Sequence, residues 1–241
     1  MSDPRATMRV VPGAALGGPI RGQGEGGMEV GANLSSMGAT RRKATYADIE
    51  ALPDNLVGEL LDGELVVSPR PRIRHGIAGS ALGMLLGGPF QFGRGGPGGW
   101  WVLDEPELHL GPDVLVPDLA GWRRERMPSP PDVVGVELPP DWVAEVVSPS
   151  TARYDRVVKL RIYARAGVSH AWLLDPAART LEIFERAGPA WTRVGAWMGD
   201  EQVRAVPFEA VELALSDLWI PETPAVSEAG PPGGNLGGGS P

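Results

Sequence analysis

Two acidic residues interrupt apolar segments that are otherwise typical of buried β-strands. Asp118 lies within the run 114–120, and Glu145 lies within the run 142–147. A carboxylate is costly among apolar neighbours unless a cation or a hydrogen-bond donor meets it. Carboxylate oxygens on neighbouring strands suit a hard cation such as Mg²⁺ or Mn²⁺. We therefore predict that Asp118 and Glu145 hold a divalent cation.

Such a site favours the hydrolysis of phosphodiesters. The ion can neutralise a phosphodiester oxygen and lower the pKa of a bound water, so that it supplies the electrophile and the nucleophile together. A nearby ammonium can stabilise the charge that builds on phosphorus or orient the attacking water. The lysine nearest to Glu145 is Lys159. Asp118, Glu145 and Lys159 would complete this minimal set.

Each of these residues also has a simpler structural interpretation. Asp155 and Lys159 are spaced i, i+4 on a predicted helix, which by itself favours a surface ion pair worth about a few tenths of a kcal/mol. Glu145 could pair with an arginine, and Asp118 could cap a turn. We interpret His75 as a surface or partly buried residue.

A strand–helix–strand unit at 141–175 must position Glu145 and Lys159. The apolar segment 142–147 ends at a Ser-Pro pair, which is typical of a buried strand followed by a turn. A charged helix follows and ends at Gly167, and a second apolar strand spans 171–174. Parallel sheets are built from this unit.

The other elements predict a mixed sheet with helices on its faces, an α/β (α+β) class. Thr45 caps a short helix that Pro53 ends, and the Asp62-Gly63 turn predicts a hairpin at 59–67. A glycine-containing helix is predicted at 75–86. Further strands are predicted at 100–103, 107–110, 114–120, 181–184 and 191–197, with a closing segment at 208–218.

Two Pro-Asp pairs occur, and their surroundings separate them. Asp113 follows Gly-Pro in a turn, where aspartate is ordinary. Asp118 lies in an apolar run, where an acid is unusual. We therefore assign the site to Asp118.

Several motifs in order resemble the Uma-type family of restriction endonucleases within the PD-(D/E)XK nuclease superfamily. The matching segments are ELLDGELV at 59–66, Pro117-Asp118, EVVSPST at 145–151, Asp155-Arg156, Lys159-Leu160, Tyr163-Ala164, AGV at 166–168 and WLLDP at 172–176. Linked motifs in order are more specific than any one alone, and the resemblance covers roughly residues 45–220. It implies a restriction-endonuclease-like fold and a Mg²⁺-dependent endodeoxyribonuclease that hydrolyses DNA.

The resemblance also implies roles for further groups. A glutamate is expected at the position of Glu59, where it could orient a water on the metal, and the backbone carbonyl of Val146 could ligate the ion. The superfamily usually carries its lysine two residues after the acid, at the position of Val147 here. The resembling family instead carries a lysine at the position of Lys159. The implied catalytic set is Glu59, Asp118, Glu145 and Lys159, with Asp118, Glu145 and Val146 at the metal.

Composition limits the organisation of the chain. We predict a disordered Gly-rich extension at 1–43, one domain at 44–221 and a disordered Pro/Gly-rich tail at 222–241. The 241 residues include no cysteine, which excludes disulfides, thiolate metal sites and a cysteine nucleophile. Without a signal-peptide pattern or an apolar run that could span a bilayer, the chain is predicted to be soluble and cytoplasmic.

The net charge of −8 argues against passive binding of nucleic acid through a generally basic surface. However, residues 206–241 contain five acids and no Lys or Arg, so the rest of the chain carries −3. Local arginine groups permit phosphate contacts, and DNA is the expected partner. Because cutting both strands needs two sites, a homodimer would fit.

Two other functions remain open at this point. A catalytically silent nuclease-like protein that binds nucleic acid or a protein partner, as in a mobile-element or defence system, is favoured by the acidic balance and by the absence of a lysine at Val147. A sugar or phosphate hydrolase that uses the carboxylate pair has no accompanying motif in its favour.

Overall fold

The fold is that of a computed structural model, which describes residues 8–10, 42–69 and 71–221. Its strands are β1 (Met8–Val10), β2 (Leu56–Leu61), β3 (Glu64–Pro69), β4 (Trp100–Asp104), β5 (Glu107–Leu110), β6 (Asp113–Leu115), β7 (Leu119–Arg123), β8 (Gly135–Val136), β9 (Trp142–Val146), β10 (His170–Asp175), β11 (Thr180–Ala187), β12 (Ala190–Met198), β13 (Gln202–Val203) and β14 (Leu213–Ala214). Its α-helices are α1 (Tyr46–Glu50), α2 (Ile73–Leu86) and α3 (Leu160–Ala166). Two π-helical segments, Gly87–Gln91 and Tyr154–Lys159, and a 3₁₀ helix, Leu215–Leu218, complete the elements. None of the helices in these ranges has the length and hydropathy of a membrane span.

The strands divide into two large mixed sheets. The first has the order β1-β3-β2-β6-β5-β8, and the second has the order β12-β11-β10-β9-β7-β4. A small sheet pairs β13 with β14. The predicted α+β class, with mixed sheets flanked by helices, is confirmed, but the strands do not form one central sheet.

The segments predicted to be disordered lie largely outside the described residues. Within the predicted extension at 1–43, β1 pairs in parallel with β3, so these three residues are part of the first sheet. The tail at 222–241 lies outside the described residues.

Local sequence signals account for several elements. The N–H of Thr45 donates to Asp48 Oδ2 at 2.7 Å in a capping box that begins α1. Asp62 and Gly63 have φ angles of 52° and 83°, the left-handed values that a two-residue hairpin turn requires. Gly167, with φ of 92°, ends α3 as predicted.

The prediction of a single strand at 114–120 is wrong. The run breaks between β6 and β7, because Pro117 has no N–H to continue a strand ladder. β6 belongs to the first sheet and β7 to the second, so Asp118 lies where the chain passes between the two sheets. This break determines the position of the acid.

The strand–helix–strand unit has the predicted topology. β9 and β10 are parallel neighbours, and Leu173 is the register partner of Glu145. Alternate residues of β9 face opposite sides: Trp142 packs in the core that α2 covers, and Val143 packs in the core that α3 covers. Glu145 shares the face of Val143, so its carboxylate points toward the helical segment that carries Lys159.

Candidate active site

A cleft of about 580 Å³ contains all of the residues predicted for the site. The predicted residues that line it are Glu59, Asp118, Glu145, Val146 and Lys159. They come from β2, from the link before β7, from β9 and from the π-helical segment. Residues that are far apart in sequence therefore meet in one cavity.

Glu145 is the most deeply buried acid of the cleft, with only 2% of its surface exposed. Its Oε2 accepts a hydrogen bond from Lys159 Nζ at 2.9 Å, and its Oε1 accepts one from the Tyr163 hydroxyl at 2.6 Å. Both oxygens are thus satisfied by residues of the following helical segment. These partners explain how a carboxylate can lie inside an apolar strand.

Lys159 is the cation that the surrounding acids share. Its Nζ lies 2.9 Å from Glu145, 3.0 Å from Glu59 Oε1 and 3.9 Å from Asp155 Oδ1. It also donates to the backbone carbonyl of Val116 at 3.4 Å. Since Asp155 and Lys159 are each only 4% exposed, the interpretation of these two residues as a surface ion pair is wrong.

Glu59 and Asp118 are held by backbone amides. Glu59 Oε1 accepts a hydrogen bond from the N–H of Val116 at 2.8 Å. Asp118 Oδ2 accepts one from the N–H of Val146 at 2.7 Å, which ties the acid to the end of β9. Its other oxygen contacts Nε2 of His75, from α2. Asp118 thus contributes its carboxylate to the cleft without belonging to the ion-pair cluster around Lys159.

Three residues of the site were not assigned to it from the sequence. Asp155 and Tyr163 lie four residues before and four residues after Lys159, and this i, i+4 spacing could have placed all three on one helix face. His75 carries no comparable signal, because its contact with Asp118 joins residues 43 positions apart.

Positive charge is scarce in this buried cluster. Burial raises the pKa of Glu145, and the charges of the other acids add to the shift, while Lys159 opposes it. Burial lowers the pKa of Lys159, but Glu145 and Glu59 outweigh it, so the net pKa of the amine lies well above its ordinary value. One ammonium therefore stays protonated among carboxylates that it only partly neutralises.

His75 is a second titratable base in the cleft, besides Lys159. Burial lowers the pKa of His75, but its hydrogen bond to Asp118 and the charge of that acid raise the pKa above its ordinary value. The proton on His75 thus depends on the ionised carboxylate beside it. Even with His75 protonated, Asp118 and the three acids around Lys159 outnumber these two cations.

Asp155→Asn is expected to stabilise the metal-free protein above pH 6 and to have little effect near pH 4. Burial raises the pKa of Asp155 from 3.8 to about 6, although Lys159 and Thr151 oppose the shift. The folded protein therefore keeps this proton to a higher pH than the unfolded chain, so the ionised acid costs stability at neutral pH, by roughly 3 kcal/mol. That cost is relieved as the pH falls from 6 toward 4, and asparagine carries no charge at either pH.

Urea unfolding of both proteins in EDTA, at pH 8 and at pH 4, measures this difference. The free energies of unfolding should diverge at pH 8 and converge at pH 4. A difference of the same size at both pH values would show that the charge of Asp155 is not its cause.

The donor set fits a hard divalent cation. Within residues 42–69 and 71–221, no three His, Asp or Glu side chains are arranged as a ready-made cage for an ion. Mg²⁺ does not require one, since it is often held by one or two carboxylates and keeps several waters. Asp118 and Glu145 offer oxygen donors in a cleft with excess negative charge, which is the chemistry that such an ion needs.

The rim of the cleft differs in charge from its floor. Arg72, Arg74 and the hydroxyl residues Ser148, Ser150 and Thr151 line the cavity together with the buried acids. Arg74 also donates to the backbone carbonyl of Pro176 at 3.5 Å. The two arginines thus offer positive charge where a ligand would enter.

Comparison with known proteins identifies a family and a solved structure of similar fold. A family model, Uma2, described as "Putative restriction endonuclease", matches residues 45–216, which is more than half of the chain. A crystal structure of a "putative nuclease belonging to DUF820" from Anabaena variabilis is similar in fold, with a TM-score of 0.60 and 21% identity over 73% of this chain and 97% of that one. At this identity the likeness shows the fold alone. No curated protein matches the chain.

Proposed function

The chain belongs to the Uma2 family, as the order of its motifs predicted, and from this membership and the geometry of the cleft we propose that it is a metal-dependent endonuclease that hydrolyses DNA phosphodiester bonds. One observation carries the proposal. Lys159 Nζ lies within 3.0 Å of both Glu145 and Glu59, in a cleft that Asp118 also lines. An amine and several carboxylates in one cavity are the groups that phosphodiester hydrolysis uses.

The proposed ion is Mg²⁺ or Mn²⁺, held by Asp118, Glu145 and the backbone carbonyl of Val146. When bound, it would neutralise a phosphodiester oxygen and lower the pKa of a water. Asp118 is suited to hold an ion because the N–H of Val146 fixes the direction of its carboxylate. Glu145 is suited because Tyr163 orients it from the opposite side.

Lys159 and Glu59 supply the remaining roles. The ammonium of Lys159 can stabilise negative charge on the phosphate, and its raised pKa keeps it protonated for this purpose. Glu59 holds that ammonium at 3.0 Å and can orient the attacking water. Val147, at the superfamily's usual lysine position, is buried and lines the same cleft. Lys159 and Val147 thus line one cavity.

DNA is the proposed substrate because two arginines, Arg72 and Arg74, line the cleft that contains the acids. Other basic groups have structural partners: Arg124 donates to backbone carbonyls, and Arg126 pairs with Asp141. Arg72 and Arg74 line the cavity, where Arg74 also donates to the carbonyl of Pro176. Cationic groups beside a metal site can contact the phosphates that flank the scissile bond. The proposal extends to a homodimer, because cutting both strands needs two sites.

The two Pro-Asp pairs provide a matched test on plasmid DNA. The wild-type protein is expected to nick or linearise plasmid in Mg²⁺ or Mn²⁺ and to be inactive in EDTA. Asp118→Asn should lower the rate at least about a hundredfold, because it removes a charged ligand. Asp113→Asn should keep the wild-type cleavage rate per folded molecule, because Asp113 does not line the cleft. Its buried carboxylate accepts a hydrogen bond from the N–H of Asp62 and pairs with Arg165.

Cleavage in EDTA, or equal rates for Asp118→Asn and wild type, would refute the assignment. Calorimetric titration with Mn²⁺ separates the enzyme from a catalytically silent relative. The enzyme should bind Mn²⁺ and lose that binding in Asp118→Asn, whereas a silent DNA-binding protein should be indifferent to the ion.

A further inference from the structure

Lys159 occupies the oxygen of Glu145 that faces the other acids, and this contact suggests a second role for the amine. We propose that the ammonium of Lys159 stands in for the divalent cation in the metal-free protein, and that the ion displaces it from Glu145 when it binds. The inference rests on the proposed metal-dependent function. It adds an exchange of cations that controls how tightly the metal is held.

Both carboxylate oxygens of Glu145 are occupied by hydrogen-bond donors. Tyr163 holds Oε1 at 2.6 Å, and Lys159 holds Oε2 at 2.9 Å. The acid is nearly inaccessible to solvent, and each of its oxygens already has a donor. Tyr163 is a hydroxyl donor without charge, whereas Lys159 is a cation in the place where the acids converge. Of the two partners, only the ammonium competes with a metal for the same electrostatic position.

The same ammonium also neutralises Glu59. Its 3.0 Å contact with Glu59 and its 2.9 Å contact with Glu145 make it a bridge between two carboxylates. A divalent ion would satisfy these acids with twice the charge and would repel the ammonium. Binding of the ion and retention of both lysine contacts therefore oppose each other.

The cleft gives the amine of Lys159 space into which it can move. Lys159 lines the 580 Å³ cleft as well as touching the acids, and its side chain is a flexible four-carbon stem. It already lies 3.4 Å from the carbonyl of Val116 at the edge of the cluster. Displacement from Glu145 can therefore proceed by side-chain rotation without unfolding the helical segment.

The wild-type protein allows a direct test, because its only lysines are Lys43 and Lys159. In protein labelled with ¹³C-lysine, the Cε groups give one signal from each residue. Mg²⁺ is diamagnetic and should shift the Lys159 signal to a saturating end point. Lys43 is exposed beside the Asp62-Gly63 turn and is the internal control, whose signal should not move.

Affinity for Mn²⁺ gives the second measurement. Lys159→Met removes the competing cation, so it should bind Mn²⁺ about tenfold more tightly than wild type although it loses cleavage. Arg161→Met removes one positive charge two positions along the chain from Lys159. The side chain of Arg161 is exposed and pairs with Asp62. Its affinity for Mn²⁺ should stay within about twofold of wild type.

The outcomes separate this inference from the proposed function. A shift of the Lys159 signal together with tighter binding by Lys159→Met supports the exchange. If the wild type binds metal and cleaves DNA while the Lys159 signal stays still and Lys159→Met binds no more tightly, the exchange is refuted and the nuclease stands. If the wild type binds no divalent ion, both are refuted. Should Lys159→Met fail to fold, the wild-type spectra decide alone.

Discussion

Glu145→Gln is expected to lower the rate of metal-dependent DNA cleavage by about a hundredfold to a thousandfold. Glutamine keeps the size of the side chain but has only one acceptor oxygen. It therefore cannot offer one acceptor oxygen to Tyr163 and a second to Lys159, as Glu145 does, and it cannot neutralise a divalent ion. Initial rates on supercoiled plasmid in Mg²⁺ measure the loss. Circular dichroism in EDTA should show the wild-type secondary structure.

Glu182→Gln is the matched control for this substitution. Leu173 of β10 pairs with Glu145 on one side and with Glu182 on the other, so the two acids lie in one row of the second sheet. Glu182, however, pairs with Arg156 and Arg193 outside the cleft. Its replacement should change the rate less than about twofold, as expected for a surface ion pair remote from the chemistry. Wild-type cleavage by Glu145→Gln would remove Glu145 from the mechanism.

Lys159→Met is expected to destabilise the metal-free protein by about 3–5 kcal/mol. The substitution leaves Glu59 and Glu145 buried without the cation that both contact. Removing one partner of a buried ion pair is costly because the other charge cannot return to water. Urea unfolding in EDTA at pH 8 gives the free energy. Mg²⁺ should restore part of the loss, because an ion bound only by the folded state stabilises it.

Arg161→Met shows what the loss of a cation costs elsewhere on the same helical segment. Arg161 is 61% exposed and pairs with Asp62, so its removal should cost no more than about 1 kcal/mol. A loss for Lys159→Met as small as the loss for Arg161→Met would mean that the cluster does not depend on this amine for its stability.

The positions of Lys159 and Glu145 also show how far sequence patterns can lead. A carboxylate in the apolar strand β9 was recognisable because strand side chains alternate and burial of a charge requires a partner. The helix after β9 and its end at Gly167 follow from local backbone preferences. Local patterns could not decide whether Asp155 and Lys159 form a surface ion pair or a buried one, because the i, i+4 spacing is the same in either case.

Asp118 shows what its local surroundings indicated and what they did not. Its apolar surroundings distinguished it from Asp113, and the two acids do lie in different places: Asp118 in the cleft and Asp113 in a buried pair with Arg165. The strand predicted around Asp118 does not exist as one element. A proline can lie at a strand end or between strands, and only the pairing of β6 and β7 with different partners decides which.

The sequence by itself determined the elements whose signals lie within a few residues: the capped helix α1, the hairpin turn at Asp62-Gly63, the strand–helix–strand unit and the acids that are unusual in apolar runs. The family followed from the order of its motifs. Only the tertiary structure decided that the strands form two sheets, that Glu59 reaches Lys159 and that His75 reaches Asp118. These contacts join residues that are 100 and 43 positions apart. No local preference encodes such distances, because they depend on how whole sheets and helices pack.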